Sequence, residues 1–587
     1  MKVLLTALNA RFIHTNLAIR YLKKSVEDVC PDTEIIEFTI NHHIEYILPE
    51  LYRVSPDVIC FSCYIWNIEM ILDLCDTIKR ILPNITIILG GPEVSFETED
   101  LMMKNDSIDI VVIGEGEITL NKLLKSLKDN EDYSQIPGLY YRVRGRILKT
   151  QGERIRPKIN SLPFPYEGEQ IDKDKIVYYE SSRGCPFNCQ YCLSSSFRGV
   201  DYLPIDRVKN ELKHFLEVQV KQVKFVDRTF NAKKDYALEI MKFILENNNG
   251  ITNFHFEVTA DLIDEEMLDF LKTVPVGLFQ FEIGVQSTNP ETLKAIDRKM
   301  DFPLLSEVVE KIASYRNVHQ HLDLIVGLPM DDFFSFRKSF NDVFALRPEK
   351  LQIGFLKLLK GSGLKMNASK YSYVYTSKPP YEVLQSNALS YGEITVLKAI
   401  EEIIETYWNS RMFRASIEFI LQNFYSNDFS FFQGFSRYWW KNGYHHQPNG
   451  KNQLYKILLD YYEAEANDYL QVFKEILKFD YLKNTRTSSL PDFFHRETDD
   501  GFKNKCHEFL KQEDNLQKFL PGYIDTPAKQ IIKRVHFERF KHNVIEIEDN
   551  PYLFKEPTEK NTTVLFDYDI ENKSIDHSRY YEVYLND

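Results

Sequence analysis

Cysteine is scarce in this chain. There are eight in 587 residues, and three of the eight fall within ten positions, in the stretch RGCPFNCQYC from Arg183 to Cys192. Positive charge is short as well: Lys and Arg number 72 against 86 Asp and Glu, a net charge of −14. A phosphate backbone is gripped by clustered cations, and the sequence has no dense basic run, so no nucleic-acid partner is expected. No uninterrupted apolar run reaches the roughly 18 residues of a membrane span, so no membrane association is expected either. The opening MKVLLTALNARF has too short an apolar run for a secretory signal. These exclusions point to the cytoplasm, where thiols stay reduced and clustered cysteines more often bind metal or do chemistry than form disulfides. Internal repeats and low-complexity tracts are missing too. Aromatic residues, by contrast, are plentiful, with 41 Phe and 34 Tyr.

The hydrophobic pattern alternates between strand-like and helix-like segments. In the first part the strand-like runs are KVLLTAL (2–8), EIIEFTI (34–40), DVICFSCY (57–64), TIILGGP (86–92) and DIVVIGEGE (109–117). Apolar strands separated by helices imply a parallel sheet covered on both faces, with a ligand beyond the strand C-termini, where the glycines cluster. LYYRV and RILKT read as a small hairpin across Arg144-Gly145. A second alternating series follows: KIVYYES (175–181), VKFVD (223–227), FHFEVTA (254–260), LFQFEIGVQ (278–286), HLDLIVG (321–327) and LQIGFLKL (351–358). Six βα units suggest a partial barrel whose chemistry sits at the strand C-termini. From about 385 the pattern becomes mostly helical, with VIEIED, TTVLFDYDI and YYEVYL near the end reading as strands. The expected fold class is therefore α/β: a doubly wound Rossmann-like domain, a partial (βα)6 barrel and a mixed, mostly helical C-terminal domain.

The three cysteines directly follow the first strand of the second series. Offsets of 0, 4 and 7 would share one helical face, but Gly184, Pro186 and Asn188 break a helix there. Structural zinc takes four ligands, and no fourth Cys or His lies nearby. A four-iron cluster normally takes four thiolates. With three, one iron keeps an open site for a substrate or cofactor.

C-x-x-x-C-x-aromatic-C after the first strand of a partial barrel resembles the radical S-adenosylmethionine (SAM) superfamily. The resemblance implies that Cys185, Cys189 and Cys192 hold a [4Fe-4S] cluster. The open iron would bind SAM, and one-electron reduction would cleave it to methionine and a 5′-deoxyadenosyl radical. It also implies an electron donor of flavodoxin or ferredoxin type. Tyr191 completes the motif. Asp227 in FVDRTF corresponds to the segment that contacts the methionine amino group. Gln286 resembles the residue facing the SAM ribose, and Arg298, twelve residues later, the arginine that pairs with the SAM carboxylate. An arginine fork suits a carboxylate. Glu257 is placed to meet the ribose hydroxyls.

FSCYIWN (61–67), LGGPEVSF (89–96) and IGEGE (113–117), in a doubly wound domain ahead of such a barrel, resemble the cobalamin-binding branch. The resemblance implies cobalamin contacts from Ser62, Tyr64, Asn67, Gly90, Gly91, Gly114 and Glu115. The D-x-H-x-x-G motif with which many cobalamin domains reach cobalt is missing; the early histidines are His14, His42 and His43. That implies cobalamin without a protein histidine on its lower face, or no cobalamin. Cys60 and Cys63 could suggest a second cluster, but residues three apart on a strand face opposite sides. They read as core, as do Cys30 and Cys75. LQIGFLKLLKGSGL (351–364), YWNSRMF (407–413) and FFQGFSRYWW (431–440) resemble a C-terminal extension of unsettled function carried by one group in this branch. His445-His446 reads as loop. The expected domains are 1–135 for cobalamin, 136–170 as linker, 171–384 as barrel and 385–587 as the extension.

The function this implies is a cobalamin-dependent radical SAM enzyme methylating an unactivated carbon of a small-molecule or peptide substrate. One alternative is a radical SAM cyclase, rearrangement or thiolation enzyme whose N-terminal domain takes no part in methyl transfer. Another is a non-enzymatic cobalamin sensor or carrier.

Overall fold

The structure is a computed structural model describing all residues except 153, 197–198, 467, 488, 497–500, 550–558, 570–577 and 586–587. The five runs of the first part form β1 (Val3–Asn9), β2 (Glu34–Thr39), β3 (Val58–Ser62), β4 (Thr86–Gly90) and β5 (Ile110–Val112). They alternate with α1 (Leu17–Val26), α2 (Ile44–Val54), α3 (Ile68–Ile81), α4 (Thr98–Lys104) and α5 (Glu117–Asp129). The hairpin forms too, as β6 (Leu139–Val143) and β7 (Arg146–Lys149). It extends the same sheet in antiparallel fashion, giving the order β2-β1-β3-β4-β5-β6-β7. The order 2-1-3-4-5 places the topological switch between β1 and β3, where ligands of such sheets bind.

Both faces of this sheet are buried, which is why its strands read as unbroken apolar runs. One face packs Ile47, Leu51, Ile71, Leu74 and Met102 of α2, α3 and α4. The other packs Ile19, Val26, Leu120 and Leu123 of α1 and α5. Cys63 and Cys75 lie in the first cluster, Cys60 and Cys30 in the second. The two cysteines of DVICFSCY therefore stand on opposite sides of the sheet. His43 occupies the N-cap position of α2, and His42 Nδ1 accepts from Thr39 N in the turn before it.

The second series also forms: β8 (Ile176–Tyr179), then β9 (Ser182–Cys185) and β10 (Gly199–Tyr202), which pair with each other, then β11 (Gln222–Phe225), β12 (Asn253–Val258), β13 (Phe279–Gln286), β14 (His319–Val326) and β15 (Lys350–Phe355). The sheet order is β15-β14-β13-β12-β11-β8, and the pairings from β8 to β13 are parallel.

The chain divides into two units. The first comprises Met1–Val318, Ile325–Asp332 and Gly354–Ser390; the second comprises His319–Leu324, Phe333–Ile353 and Tyr391–Asp587. The second is mainly helical. Its helix Tyr391–Ile403 runs into a π-helical turn, Ile404–Trp408, and the Arg414 guanidinium lies 3.9 Å from the centre of the Trp408 ring. Buried Asp480 accepts from the backbone N–H groups of Ala415 and Ser416, capping the helix Arg414–Phe424. Phe431, Phe432, Phe435 and Trp439 of FFQGFSRYWW are core residues, and His445 stacks on Trp440 beside a short 3-10 turn.

Two C-terminal expectations are corrected. VIEIED is a helix, Val544–Asp549, not a strand. Asn543 precedes it, and its amide donates to Glu546 three residues on, a helix-start spacing that outweighs the apolar–acidic alternation. The strand Val535–His542, read as helical, instead pairs with Glu559–Asp567, which pairs in turn with Arg579–Val583. The last residue of the expected strand TTVLFDYDI lies outside the described residues. Among the described residues no helix is long and apolar enough to cross a membrane.

Candidate functional site

The C-terminal ends of β1, β3, β4 and β5 open onto a cavity of about 620 Å³. Ser62, Tyr64, Gly90, Gly91, Gly114 and Glu115, six of the seven expected cobalamin contacts, line it. Gly91 is required by geometry. Its φ is +113°, and a Cβ there would stand 2.5 Å from the Cys63 carbonyl oxygen, a contact the backbone cannot relieve. Asn67 behaves differently. Its amide donates to the Leu8 and Ser62 carbonyls and its oxygen accepts from Tyr64 N, so all of it serves the turn before α3. Trp66, its neighbour in that motif, lines the cavity instead. It stacks flat on Tyr64, with centroids 4.4 Å apart, and anchors its indole N–H on the Leu8 carbonyl. An aromatic in FSCYIWN was the available signal, but a single sequence does not say which side of a turn it takes.

The same cavity is lined from the cysteine segment by Ser182, Arg183, Gly184, Leu193 and Ser194. His14 also lines it and shares a 2.7 Å hydrogen bond with Tyr178 on β8. Burial lowers the pKa of this histidine, and Arg11 and Lys224 add to the shift.

Cys185 ends β9, and Cys189 and Cys192 follow in the next loop. The Cys185 thiol, its pKa raised chiefly by burial, senses the charge of Cys189 and Cys192. Yet among the described residues no three Cys, His, Asp or Glu side chains are close enough to share one metal ion. The loop is strapped down: Gln190 N donates to the Ile296 carbonyl at 2.9 Å, and Leu364 N to the Gln190 carbonyl at 2.8 Å.

Arg298 reaches this loop. Its Nη1 lies 3.7 Å from Cys189 Sγ and 3.4 Å from the Tyr191 hydroxyl, and its Nη2 donates to the Gly284 carbonyl. Gln286 ends β13 with φ of +73°, a left-handed conformation that non-glycine residues adopt at a cost. Its amide lies over Gly284, where a Cβ would stand 2.2 Å from Gln286 Nε2 and 3.5 Å from Arg298 Nη2. Gly284 in FEIGVQ is thus a site residue the sequence reading missed; it gives both side chains their room. Glu257 sits opposite Glu282 in the strand register. Burial raises its carboxyl pKa, against the pull of Arg228 and Lys224.

Asp227 is buried and its carboxylate is taken up. One oxygen accepts from the Ser181 and Ser182 hydroxyls, at 2.6 and 2.5 Å, and the other from Ser181 N at 3.0 Å. Burial pushes its pKa up to about 6, against those hydrogen bonds. In this arrangement it holds the strand that leads into the cysteines.

Comparison with known proteins agrees with this geometry. Residues 3–124 match the B12 binding domain, residues 179–343 the radical SAM superfamily, and residues 369–566 a protein of unknown function (DUF4080). The cobalamin-dependent radical SAM methyltransferase TokK of Streptomyces tokunonensis is 27% identical over 337 residues, 53% of this chain and 48% of that protein. The anaerobic magnesium-protoporphyrin IX monomethyl ester cyclase of a Synechocystis species is 28% identical over 236 residues, 37% of this chain and 45% of that protein. The chain thus spans about half the length of these curated relatives. Among solved structures, the radical SAM methyltransferase TsrM from Kitasatospora setae superposes with a TM-score of 0.53 at 16% identity, covering 64% of this chain and 77% of that one. That likeness is one of fold.

A glycine-edged B12-binding sheet followed by a six-stranded sheet with a three-cysteine loop defines a protein that uses SAM, a [4Fe-4S] cluster and cobalamin. The chain belongs to the cobalamin-binding radical SAM family, in the group that carries the DUF4080 extension at its C-terminal end.

Proposed function

We propose that this protein is a cobalamin-dependent radical SAM methyltransferase acting on an unactivated carbon of a small-molecule or peptide substrate. The observation that carries the reading is the shared cavity. Its wall is made both by the strand ends that would hold cobalamin and by residues flanking the three cysteines. When bound, the cluster and SAM supply a carbon-centred radical and cobalamin supplies a transferable methyl group. The chain's own residues then have distinct tasks. Cys185, Cys189 and Cys192 would hold the cluster. Arg298, which reaches the cysteine loop, would offer its guanidinium to the SAM carboxylate, and Gln286 an amide to its ribose. Asp227 would act on SAM indirectly, by fixing the start of the strand that ends at Cys185. Trp66, Tyr64 and the backbone at Gly90, Gly91 and Gly114 form a wall that a large flat cofactor can approach closely. An external one-electron donor of flavodoxin or ferredoxin type would supply the reducing equivalent.

The test is product analysis on anaerobically reconstituted protein supplied with SAM, hydroxocobalamin, a reductant and candidate acceptors. Methyl transfer yields S-adenosylhomocysteine together with 5′-deoxyadenosine, and the 5′-deoxyadenosine and the methylated acceptor disappear in Cys185→Ala. Formation of 5′-deoxyadenosine alone, with a converted but unmethylated acceptor, would move the reading to a cyclisation or rearrangement.

A further inference from the structure

One side chain ties the two halves of the cavity together. Arg183, two residues before Cys185, makes a two-point contact with Glu180 at the end of β8: Nε to Oε1 at 3.0 Å and Nη2 to Oε2 at 2.9 Å. Its remaining nitrogen, Nη1, reaches across to the β5–α5 turn, meeting Glu117 at 2.9 Å and Glu115 at 3.1 Å. The guanidinium also lies 5.5 Å from the ring centre of Tyr21 on α1. A second arginine, Arg156, approaches Glu115 at 3.6 Å. The participants are largely out of solvent, with side-chain exposures of 16% for Arg183, 8% for Glu117, 12% for Glu180 and 18% for Glu115.

Three carboxylates on one guanidinium is more than pairing of charge requires. The carboxylates come from two places. Glu115 and Glu117 belong to the glycine turn IGEGE at the edge of the first sheet; Glu180 belongs to the strand leading into the cysteines. Gly114, Glu115, Gly116 and Glu117 line the cavity on one side, and Glu180, Arg183 and Gly184 on the other. A planar guanidinium fork transmits direction as well as attraction, because its donors are fixed relative to one another. Any shift of the 114–117 turn when the cavity fills is therefore passed to residue 183 and, within two residues, to Cys185.

We propose that Arg183 is a positioning residue that couples cobalamin occupancy of the cavity to the cysteine loop, so that each cofactor tightens the hold on the other. This rests on the placement of cobalamin in this cavity. Linkage makes the coupling reciprocal, so it can be read from either ligand.

The experiment titrates the full-length protein with hydroxocobalamin, with and without the reconstituted cluster, in wild type, R183Q, R183K and E117Q. In wild type the cluster-loaded form should bind at least about fivefold more tightly, the lower end of ordinary coupling between sites. In R183Q the ratio should fall close to one while both forms still bind cobalamin. In R183K, which keeps the charge and loses the fork, part of the ratio should return. The electron paramagnetic resonance spectrum of the reduced cluster should change when cobalamin is added to wild type and stay unchanged in R183Q. E117Q loosens only the first-sheet side of the contact, and it carries the test should R183Q not fold. A wild-type ratio below fivefold, or a full ratio and spectral change kept in R183Q or E117Q, overturns the proposal. No cobalamin binding in either wild-type form is a different result: it overturns the placement of cobalamin in the cavity.

Discussion

The two parallel sheets bury their strands differently. In the first, β1, β3 and β5 are buried at every residue. In the second, β8, β11 and β13 largely alternate between buried and half-buried positions. Helices cover both faces of the first sheet, so a ligand has access only at the strand ends, where it meets the glycine backbone together with side chains such as Tyr64 and Trp66. One face of the second sheet carries polar groups, among them Lys224, which pairs with Glu282 at 2.9 Å, and Glu257. Its opposite face is rich in phenylalanine, including Phe225, Phe254, Phe256, Phe279 and Phe281. At Gly91 the first sheet end is thus confined by main chain, which cannot yield, and at Gly284 the second by side chains, which can.

That contrast can be broken at single residues. The largest effect is expected from Gly91→Ala at the first sheet. The added methyl meets a carbonyl oxygen in a left-handed backbone, so the loss should be about 4 kcal/mol of stability, with cobalamin binding weakened in parallel. Urea denaturation and a hydroxocobalamin titration measure the two.

Asp227 comes next. Burial lifts its folded-state pKa to about 6 from 3.8. A carboxyl raised in this way stabilises the fold while protonated, and that contribution is lost as pH climbs from about 4 to about 6. Asp227→Asn does not titrate. Relative to that variant, wild type should lose up to about 3 kcal/mol between pH 4 and pH 7. Denaturation midpoints of both proteins across this range test it. A flat difference would mean the three donors from Ser181 and Ser182 keep the carboxylate ionised throughout.

The smallest effect on stability is expected from Gly284→Ala at the second sheet. Its methyl meets the movable end of Gln286, a cost of about 1 kcal/mol for an alternative rotamer. SAM affinity should nonetheless fall, because Gln286 and Arg298 lose their places. Isothermal titration of the cluster-loaded variant with SAM checks it. A stability loss as large as that of Gly91→Ala would erase the distinction between the two sheets.

The features that could be read from sequence were those carried by neighbouring residues. The eleven main strands of the two parallel sheets follow from runs of apolar residues, and the cysteine loop from spacing within eight positions. Arg298 and Gln286 belong to one segment with a recognisable order, and the structure brings both beside Gly284. What escaped depends on contacts between distant segments. The commitment of Asp227 to Ser181 spans 46 residues, and Asn67 turns away from the cavity because it is bonded to Leu8. VIEIED misled because alternation over six residues fits a strand or a short acidic helix, and the deciding contact lies with the residue before it.

The burial of the cysteines outside the loop has a practical consequence for thiol reactivity. Cys30, Cys60, Cys63, Cys75 and Cys506 are all buried. Burial pushes the pKa of Cys60 up to about 12 and that of Cys63 and Cys75 up as well. Thiols in that state are poor nucleophiles, and Cys60 and Cys63, on opposite faces of a sheet, cannot oxidise to a disulfide with each other. Cys189 is buried as well, so an alkylating reagent added to the native protein reports on Cys185 and Cys192, the two half-buried thiols of the loop. Once a cluster occupies that loop, the whole molecule falls silent to the reagent, so the count of modified sulfurs gauges how much of a preparation is loaded.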